Sequence, residues 1–189
     1  MDTNLTFHLL TFERRFDFEK LFGKNGACGG CWCMWWKLTR AEFEKKKGAG
    51  NKRAIKRIIS SGAVPGILAY AGGEPVGWCA VELRTNYPTL SRSRILQPVD
   101  DKPVWSVVCF FIAKPYRRKG VTVKLLEAAI DYVRKNGGKI LEGYPVEPKK
   151  GTTADAFAYT GLASAFRKAG FVEILRRSPT RPIMRYYIE

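Results

Sequence analysis

The sequence has 189 residues, of which 46% are hydrophobic and 13% aromatic. This composition indicates a globular protein with room for a substantial core and excludes a disordered or low-complexity chain. Lys and Arg number 33 against 17 Asp and Glu, and the formal charge of +16 favours an anionic partner, either nucleic acid or a phosphorylated small molecule. We expect one domain over residues 1–189.

Residues 1–18 mix charged and apolar side chains and lack the basic start, apolar centre and small-residue cleavage site of a signal peptide. No apolar run reaches membrane-spanning length. The five cysteines, an odd number, fit reduced thiols better than a disulfide framework. We therefore expect a cytoplasmic protein without a membrane partner.

The first half of the chain is predicted to alternate between short strands and helices. A capping-box pattern from Thr39 to Glu42 starts one helix, and Gly72 to Pro75 forms the turn of a hairpin. The predicted elements are a strand over 6–12, a helix over 16–22, two helices between Thr39 and Ile59, and hairpin strands over Gly66–Ala71 and 76–84. The basic run over 45–57 is expected to be a solvated helix face.

The second half is predicted to begin with a long polar loop over 85–103, with one helical turn over 87–95. The apolar run Trp105–Ile112 has the length and composition of a buried strand, and the helix that follows has its apolar face over 122–133. The remaining elements are a strand over 139–146, a loop over 149–153, a helix over 162–169 and strands over 171–175 and 183–188. One crossover among hairpins predicts a mixed sheet flanked by helices.

The turn between the buried strand and its helix is basic and contains glycine. Its residues are Arg117, Arg118, Lys119, Gly120, Val121 and Thr122. The first amides of a helix have no partner within it, and the positive end of its dipole points the same way. The turn is therefore predicted to bind phosphate.

Two motifs resemble the GCN5-related N-acetyltransferases, the GNAT family. Arg117-x-x-Gly120-x-Thr122 resembles the R/Q-x-x-G-x-G/A pyrophosphate loop of that family, and GLASAFRKAGF over 161–171 resembles its last-helix pattern. GCWCMWW near the front is among several segments that resemble an uncharacterised bacterial branch. The resemblance implies the GNAT fold, an α/β arrangement with a central, mostly antiparallel mixed sheet flanked by helices. It also implies direct transfer of the acetyl group of acetyl-CoA to a primary amine of a small molecule or peptide.

In the GNAT fold the central strand and the strand after its helix splay apart. The resemblance implies that pantetheine lies in that splay, with its amides on the backbone of Phe111 and Ile112. The N–H near Ile112 would serve as the oxyanion donor. The turn from Arg117 to Thr122 would hold the pyrophosphate.

The sequence departs from the family pattern at two catalytic positions. Ser106 stands where some relatives carry a catalytic glutamate, and Phe166 stands where many carry a tyrosine as general acid. Tyr159 and Tyr144 are the candidates to replace that tyrosine. The candidate bases are Glu82, which we place first, Asp100, Asp101 and Glu142, although each is more commonly a solvated or salt-bridged side chain.

A cysteine-rich and tryptophan-rich segment precedes the capping box. Cys28, Cys31 and Cys33 lack a nearby fourth ligand, so we expect no metal there. The indoles of Trp32, Trp35 and Trp36 would be core by default. In GNAT proteins, however, this segment forms one wall of the acceptor site, opposite a loop that here spans 177–182. We therefore predict that these indoles bind the acceptor.

Two other functions stay open. The first is a GNAT-fold protein that binds CoA without catalysis, which Ser106 and Phe166 favour. The second is a basic nucleic-acid-binding protein; since no recognition motif is present and the basic residues are scattered, we expect only nonspecific contact with nucleic acid. A homodimer is left open.

Overall fold

The computed structural model describes residues 4–148 and 158–189, and the predicted loop over 149–153 lies outside them. Within the described residues, seven strands form one sheet in the order β1-β2-β3-β4-β5-β7-β6. They are β1 (Leu5–Leu9), β2 (Gly66–Ala71), β3 (Glu74–Leu83), β4 (Trp105–Ile112), β5 (Ile140–Gly143), β6 (Val172–Arg176) and β7 (Pro182–Tyr187). All neighbouring strands are antiparallel except β4 and β5, which are parallel.

Helices cover both faces of this sheet. They are α1 (Arg15–Phe22), α2 (Arg40–Lys46), α3 (Ala49–Ser60), α4 (Pro88–Arg92), α5 (Val121–Lys135) and α6 (Ala163–Lys168). The apolar stripe of α5 packs with α6 in one core, whereas α1 to α4 contribute to a second core across the sheet. The capping box of α2 is present, with Thr39 and Glu42 bonded to each other's backbone. None of these helices is long and apolar enough to cross a membrane.

Strand β5 is shorter than the predicted strand over 139–146. It pairs with β4 only across Trp105, Ser106 and Val107 and ends at Gly143. A Cβ at Gly143 would lie 2.1 Å from the Phe166 ring, so this position admits only glycine. Beyond Val107 the two parallel strands part and a gap opens beside the second half of β4.

Candidate functional site

The turn before α5 presents free backbone amides. Within the helix the first hydrogen bonds run from Val123 and Lys124 to the carbonyl of Gly120, at 3.0 and 3.3 Å. The N–H groups of Val121 and Thr122 therefore have no helical partner. Gly120 has a φ of 78°, and a Cβ there would meet no atom of the described residues within 4 Å, so these residues leave the space in front of the helix open. This geometry suits an anion.

Cationic side chains surround that end of α5. Arg118 and Lys119 are exposed, and the Lys119 ammonium lies 5.7 Å from the centre of the Tyr116 ring. Arg117 points back along the chain, where its Nε donates to the carbonyl oxygen of Ile112 at 3.0 Å. The side chain of Val121 is buried in the core, so only its amide faces the turn. Positive charge thus extends from the helix to the end of β4.

Of the two backbone amides predicted to bind pantetheine, those of Phe111 and Ile112, the end of β4 presents only one to the gap. The N–H of Ala113 donates to the carbonyl of Val76 on the β3 side at 2.9 Å. Since amides alternate along an antiparallel ladder, the N–H of Ile112 points away from β3, whereas that of Phe111 points towards it. The Phe111 amide thus faces β3, which leaves Ile112 better placed than Phe111 for the predicted pantetheine contact.

The Glu82 carboxylate is buried and paired. Lys37 and Asn86 both bond to it, the latter at 3.1 Å, and the side chains of Lys37 and Glu82 are each only 8% exposed. Both carboxylate oxygens are thus engaged by protein side chains. Glu82 therefore fits a structural ion pair better than the predicted role of base.

Two other predicted carboxylates belong to a second buried network. Arg185 donates to Glu142 at 2.7 Å and to both oxygens of Asp100 at 2.7 and 3.0 Å. Arg84 also contacts Glu142 at 3.2 Å. The fourth, Asp101, is exposed in the loop before β4.

The same network holds Tyr144 and Ser106. The Tyr144 hydroxyl donates to Glu142 at 2.7 Å and lies 2.9 Å from the Ser106 hydroxyl. Burial raises the pKa of Tyr144 well above its usual value. With its hydroxyl engaged, Tyr144 fits a structural role better than that of general acid.

Tyr159 lies at the gap. Its carbonyl accepts the amide of Phe110 at 2.6 Å, and its ring lies 6.4 Å from that of Trp36. Burial raises the pKa of Tyr159, and the nearby Arg181 opposes this shift. Arg181 comes from the loop between β6 and β7 and donates to Thr160 at 2.8 Å. Because its pKa is raised, the Tyr159 hydroxyl is protonated at neutral pH and able to donate a proton.

The three predicted acceptor-site tryptophans separate in the structure. Trp32 is a core residue whose ring is stacked on that of Phe22, with 5.8 Å between ring centres. The prediction that Trp32 binds the acceptor is therefore corrected. Trp35 packs edge-on against Phe43 of α2 at 5.0 Å. Only Trp36 lies beside Tyr159. Its buried indole N–H has no hydrogen-bond partner among the described residues.

Sequence reasoning missed two features of this region. Lys37, which pairs with Glu82 from 45 positions away, carries no local signal of its partner. Cys33 and Cys109 both contribute to the second core, although they lie far apart in the sequence. No group of three or more His, Cys, Asp or Glu in residues 4–148 and 158–189 is arranged to hold a metal ion.

Comparison with known proteins adds a family match. Residues 32–156, more than half of the chain, match the model of the acetyltransferase (GNAT) family. A search of curated proteins finds no significant match.

Solved structures share the fold at low sequence identity. One is a GNAT-family acetyltransferase from Listeria monocytogenes, with a TM-score of 0.61, 9% identity, and coverage of 97% of this chain and 94% of that one. A second is the PaiA N-acetyltransferase from Thermoplasma acidophilum in complex with coenzyme A. Its TM-score is 0.55 and its identity 14%, with coverage of 97% of this chain and 99% of that one. A third is the ribosomal-protein-S5-alanine acetyltransferase from Vibrio fischeri. Its TM-score is 0.55 and its identity 9%, with coverage of 98% of this chain and 93% of that one.

Proposed function

Since this chain belongs to the GNAT acetyltransferase family, we propose that it transfers the acetyl group of acetyl-CoA directly to a primary amine of a small molecule or peptide. One observation carries the proposal: the free amides of α5 and the outward-facing amide of Ile112 lie at the same end of β4. The first suit a pyrophosphate and the second an acyl carbonyl. The PaiA structure, with its bound coenzyme A, supports this choice of cosubstrate.

In this proposal the pyrophosphate binds the amides of Val121 and Thr122 with Arg118 and Lys119 beside them. The pantetheine arm enters the gap between β4 and β5. The N–H of Ile112 then stabilises the negative charge that develops on the thioester oxygen as the amine attacks.

The leaving thiolate needs a proton. We assign this role to the Tyr159 hydroxyl, because burial keeps it protonated and the residue lies at the gap. Since Glu82, Asp100 and Glu142 all hold cations, none of them is assigned as the base, and the amine enters the site already neutral.

The acceptor site lies on the α1-to-α4 side of the sheet, beside Trp36. Its indole ring and its N–H, which has no partner within the described part of the chain, fit an acceptor that has a flat apolar part and a hydrogen-bond acceptor. Arg181 adds a positive charge from the opposite loop.

The test is a thiol-release assay with acetyl-CoA across a panel of small and peptide amines, with a calorimetric CoA titration beside it. We expect CoA to bind and at least one amine class to release thiol above the background hydrolysis. A CoA-binding protein without catalysis is the second candidate, favoured by the buried Phe166 ring and the engaged Ser106 hydroxyl. It would bind CoA and release no thiol with any amine, whereas failure to bind CoA contradicts both functions.

A further inference from the structure

Strand β1 is an edge of the sheet that lacks the features which usually protect an edge. Its outer side has no partner strand among the described residues. Charged residues, proline or a bulge commonly blunt such an edge, because its unpaired backbone groups otherwise pair with another chain. The opposite edge strand, β6, carries Glu173 and Arg176 and has a register shift before Leu175. Strand β1 contains no Lys, Arg, Asp, Glu or Pro, and its register with β2 is regular.

The backbone groups that β1 turns towards its free edge are those of Leu5, Phe7 and Leu9. The amide of Leu10 donates to the carbonyl of Gly66 on β2 at 2.9 Å. Hydrogen-bonded pairs alternate along an antiparallel ladder, so every second residue before Leu10 bonds to β2 and the residues between them point outwards. Of these outward groups, the carbonyl of Leu9 accepts the amide of Thr11 at 3.0 Å.

The side chains of the same three residues line a groove. It has a volume of about 910 Å³ and lies between β1 and α5. Leu5, Phe7 and Leu9 are partly buried against the core that α5 and α6 share. Ala128 and Tyr132 are partly buried on the helix side of the groove. The free edge thus combines unpaired backbone groups with a half-exposed apolar row.

The charge of the groove indicates which kind of partner fits it. The chain carries a formal charge of +16, which opposes contact between most parts of two copies. The charged residues that line the groove are Lys124, Glu127, Asp131 and Lys135, two of each sign. Lys124 and Glu127 also pair with each other at 2.9 Å. A lining without net charge does not attract a polyanion, whereas a second copy can approach it without net repulsion.

We propose that this edge is a dimerisation surface, at which β1 of a second copy pairs with β1 in antiparallel register. A two-fold axis through Phe7 places that residue opposite its own copy and Leu5 opposite Leu9 of the partner subunit. This register pairs all five residues of the strand. It also matches the outward backbone groups of the two copies, since the same residues point outwards in both. The two seven-stranded sheets then form one continuous sheet.

The same pairing covers the apolar row. Directly opposite residues of an antiparallel pair project to the same face of the sheet. The Leu5, Phe7 and Leu9 side chains of both copies therefore lie together on the α5 face, where each set covers the other. A two-fold contact of this kind closes on itself, and the other edge of each sheet is protected. The assembly therefore ends at the dimer.

The first experiment is sedimentation velocity of the reduced full-length chain over a concentration series from micromolar to millimolar. We expect a reversible dimer with twice the chain mass of 21.4 kDa and no larger species. A chain that stays monomeric throughout the series overturns the proposal, and so does an open-ended assembly. The measurement needs neither CoA nor an amine, so its result is independent of the proposed transferase activity.

Phe7→Asp tests the surface, because it places two like charges opposite each other on the axis. We expect the dissociation constant of the dimer to rise by about tenfold or more. Val172→Asp is the matched control, since it makes the same change from apolar to acidic on the other edge strand, where Val172 is exposed. It should leave the dissociation constant unchanged. Melting temperatures show whether each variant folds, and a folded Phe7→Asp with the wild-type dissociation constant overturns the surface.

Cysteine cross-linking tests the register and does not depend on the folding of Phe7→Asp. Both cysteine variants are made in a Cys28→Ser chain, which lacks the exposed native thiol. Phe7→Cys places two thiols on the axis, where the Cα atoms of a hydrogen-bonded pair are about 5.5 Å apart and a disulfide can form. Thr6→Cys is the control, because Thr6 lies two positions along the ladder from its own copy.

Under mild oxidation we expect the axial cysteine variant to run as a covalent dimer on a denaturing gel and to return to the monomer with dithiothreitol. The control variant should stay monomeric. Equal cross-linking of the two variants, or none in Phe7→Cys, overturns the proposed pairing.

Discussion

The backbone N–H of Phe110 donates to the carbonyl oxygen of Tyr159 over 2.6 Å, inside the gap between β4 and β5. The position of Tyr159 is thus fixed by its main chain and by the packing of its ring near Trp36. Its hydroxyl is not needed for either contact. Removing the hydroxyl therefore keeps both contacts and costs only its hydrogen bond with Arg181.

Tyr159→Phe tests the proposed general acid. We expect kcat to fall by about a hundredfold, because the leaving thiolate loses its proton donor. CoA affinity and melting temperature should stay unchanged, because the backbone bond and the ring remain. Steady-state kinetics, calorimetry and thermal unfolding measure the three quantities.

Tyr87→Phe is the control for that substitution. The Tyr87 hydroxyl is buried and has no hydrogen-bond partner among the described residues, so removing it should leave kcat unchanged and stability unchanged or higher. A wild-type kcat in Tyr159→Phe would remove Tyr159 from the mechanism.

Gly120→Glu tests the phosphate site. The new side chain places bulk and negative charge in front of the free amides of α5, where the structure leaves open space. We expect calorimetry to detect no CoA binding.

The matched control for the phosphate site is Gly137→Glu, just beyond the other end of α5. Gly137 has a similar φ of 73° and similarly open surroundings. The backbone strain is therefore comparable, and CoA affinity should remain at the wild-type value. Equal CoA affinities in the two variants would show that the phosphates bind elsewhere.

Lys37→Met tests the buried ion pair with Glu82. Removing one partner leaves an unpaired buried carboxylate, and we expect the free energy of unfolding to fall by about 3 kcal/mol. Adding Glu82→Gln to Lys37→Met should restore part of that loss, since the buried charge is then gone. Urea unfolding of the two variants measures both values, and a double variant less stable than Lys37→Met would argue against this pairing.

Trp36→Phe tests the acceptor wall. The substitution keeps an aromatic ring but removes the unpaired N–H, so the KM for the amine should rise by roughly tenfold, the effect of about one hydrogen bond to a charged or polar group. The KM for acetyl-CoA should not change. Trp35→Phe, whose ring packs on Phe43, is the control and should leave both constants unchanged. Equal effects of the two substitutions would indicate a change in packing instead of a lost contact.

Asp100→Asn tests the pH dependence of stability. The hydrogen bonds from Arg185 lower the pKa of Asp100 in the folded protein. Ionised Asp100 therefore stabilises the fold above the unfolded pKa of about 3.9, and this contribution is lost as pH falls through the folded-state value. The variant should be less stable than wild type at pH 7, and the difference should shrink below about pH 4. Urea unfolding across pH would contradict this if the difference stayed constant.

The local sequence pattern was sufficient to predict the strand and the helix that hold the candidate site. The strand Trp105–Ile112 was predicted with its observed bounds, because its apolar run ends in Lys-Pro on one side and follows Pro103 on the other. The predicted GNAT family and fold were also confirmed. They could be predicted because the basic turn and α5 are contiguous in sequence.

Long-range contacts could not be read from the sequence. The strand predicted over 139–146 continues in apolar residues, yet β5 stops at Gly143 because Tyr144 turns into the network of Glu142 and Ser106. The pairing of Lys37 with Glu82 and the burial of Trp32 likewise depend on how helices pack across the sheet. Such partners lie tens of residues apart, where spacing carries no information.

Only three residue pairs join β4 to β5, so the sheet consists of a four-stranded and a three-stranded part connected by a short ladder. A ligand lying along the gap would extend that ladder and link the two parts. Ligand binding and unfolding are then coupled by mass action, and a ligand at a hundred times its Kd stabilises the folded chain by about 2.7 kcal/mol. The amides of β4 beyond Val107 would accordingly exchange their hydrogens with solvent more slowly when CoA is bound, and the two parts of the sheet would unfold as one cooperative unit.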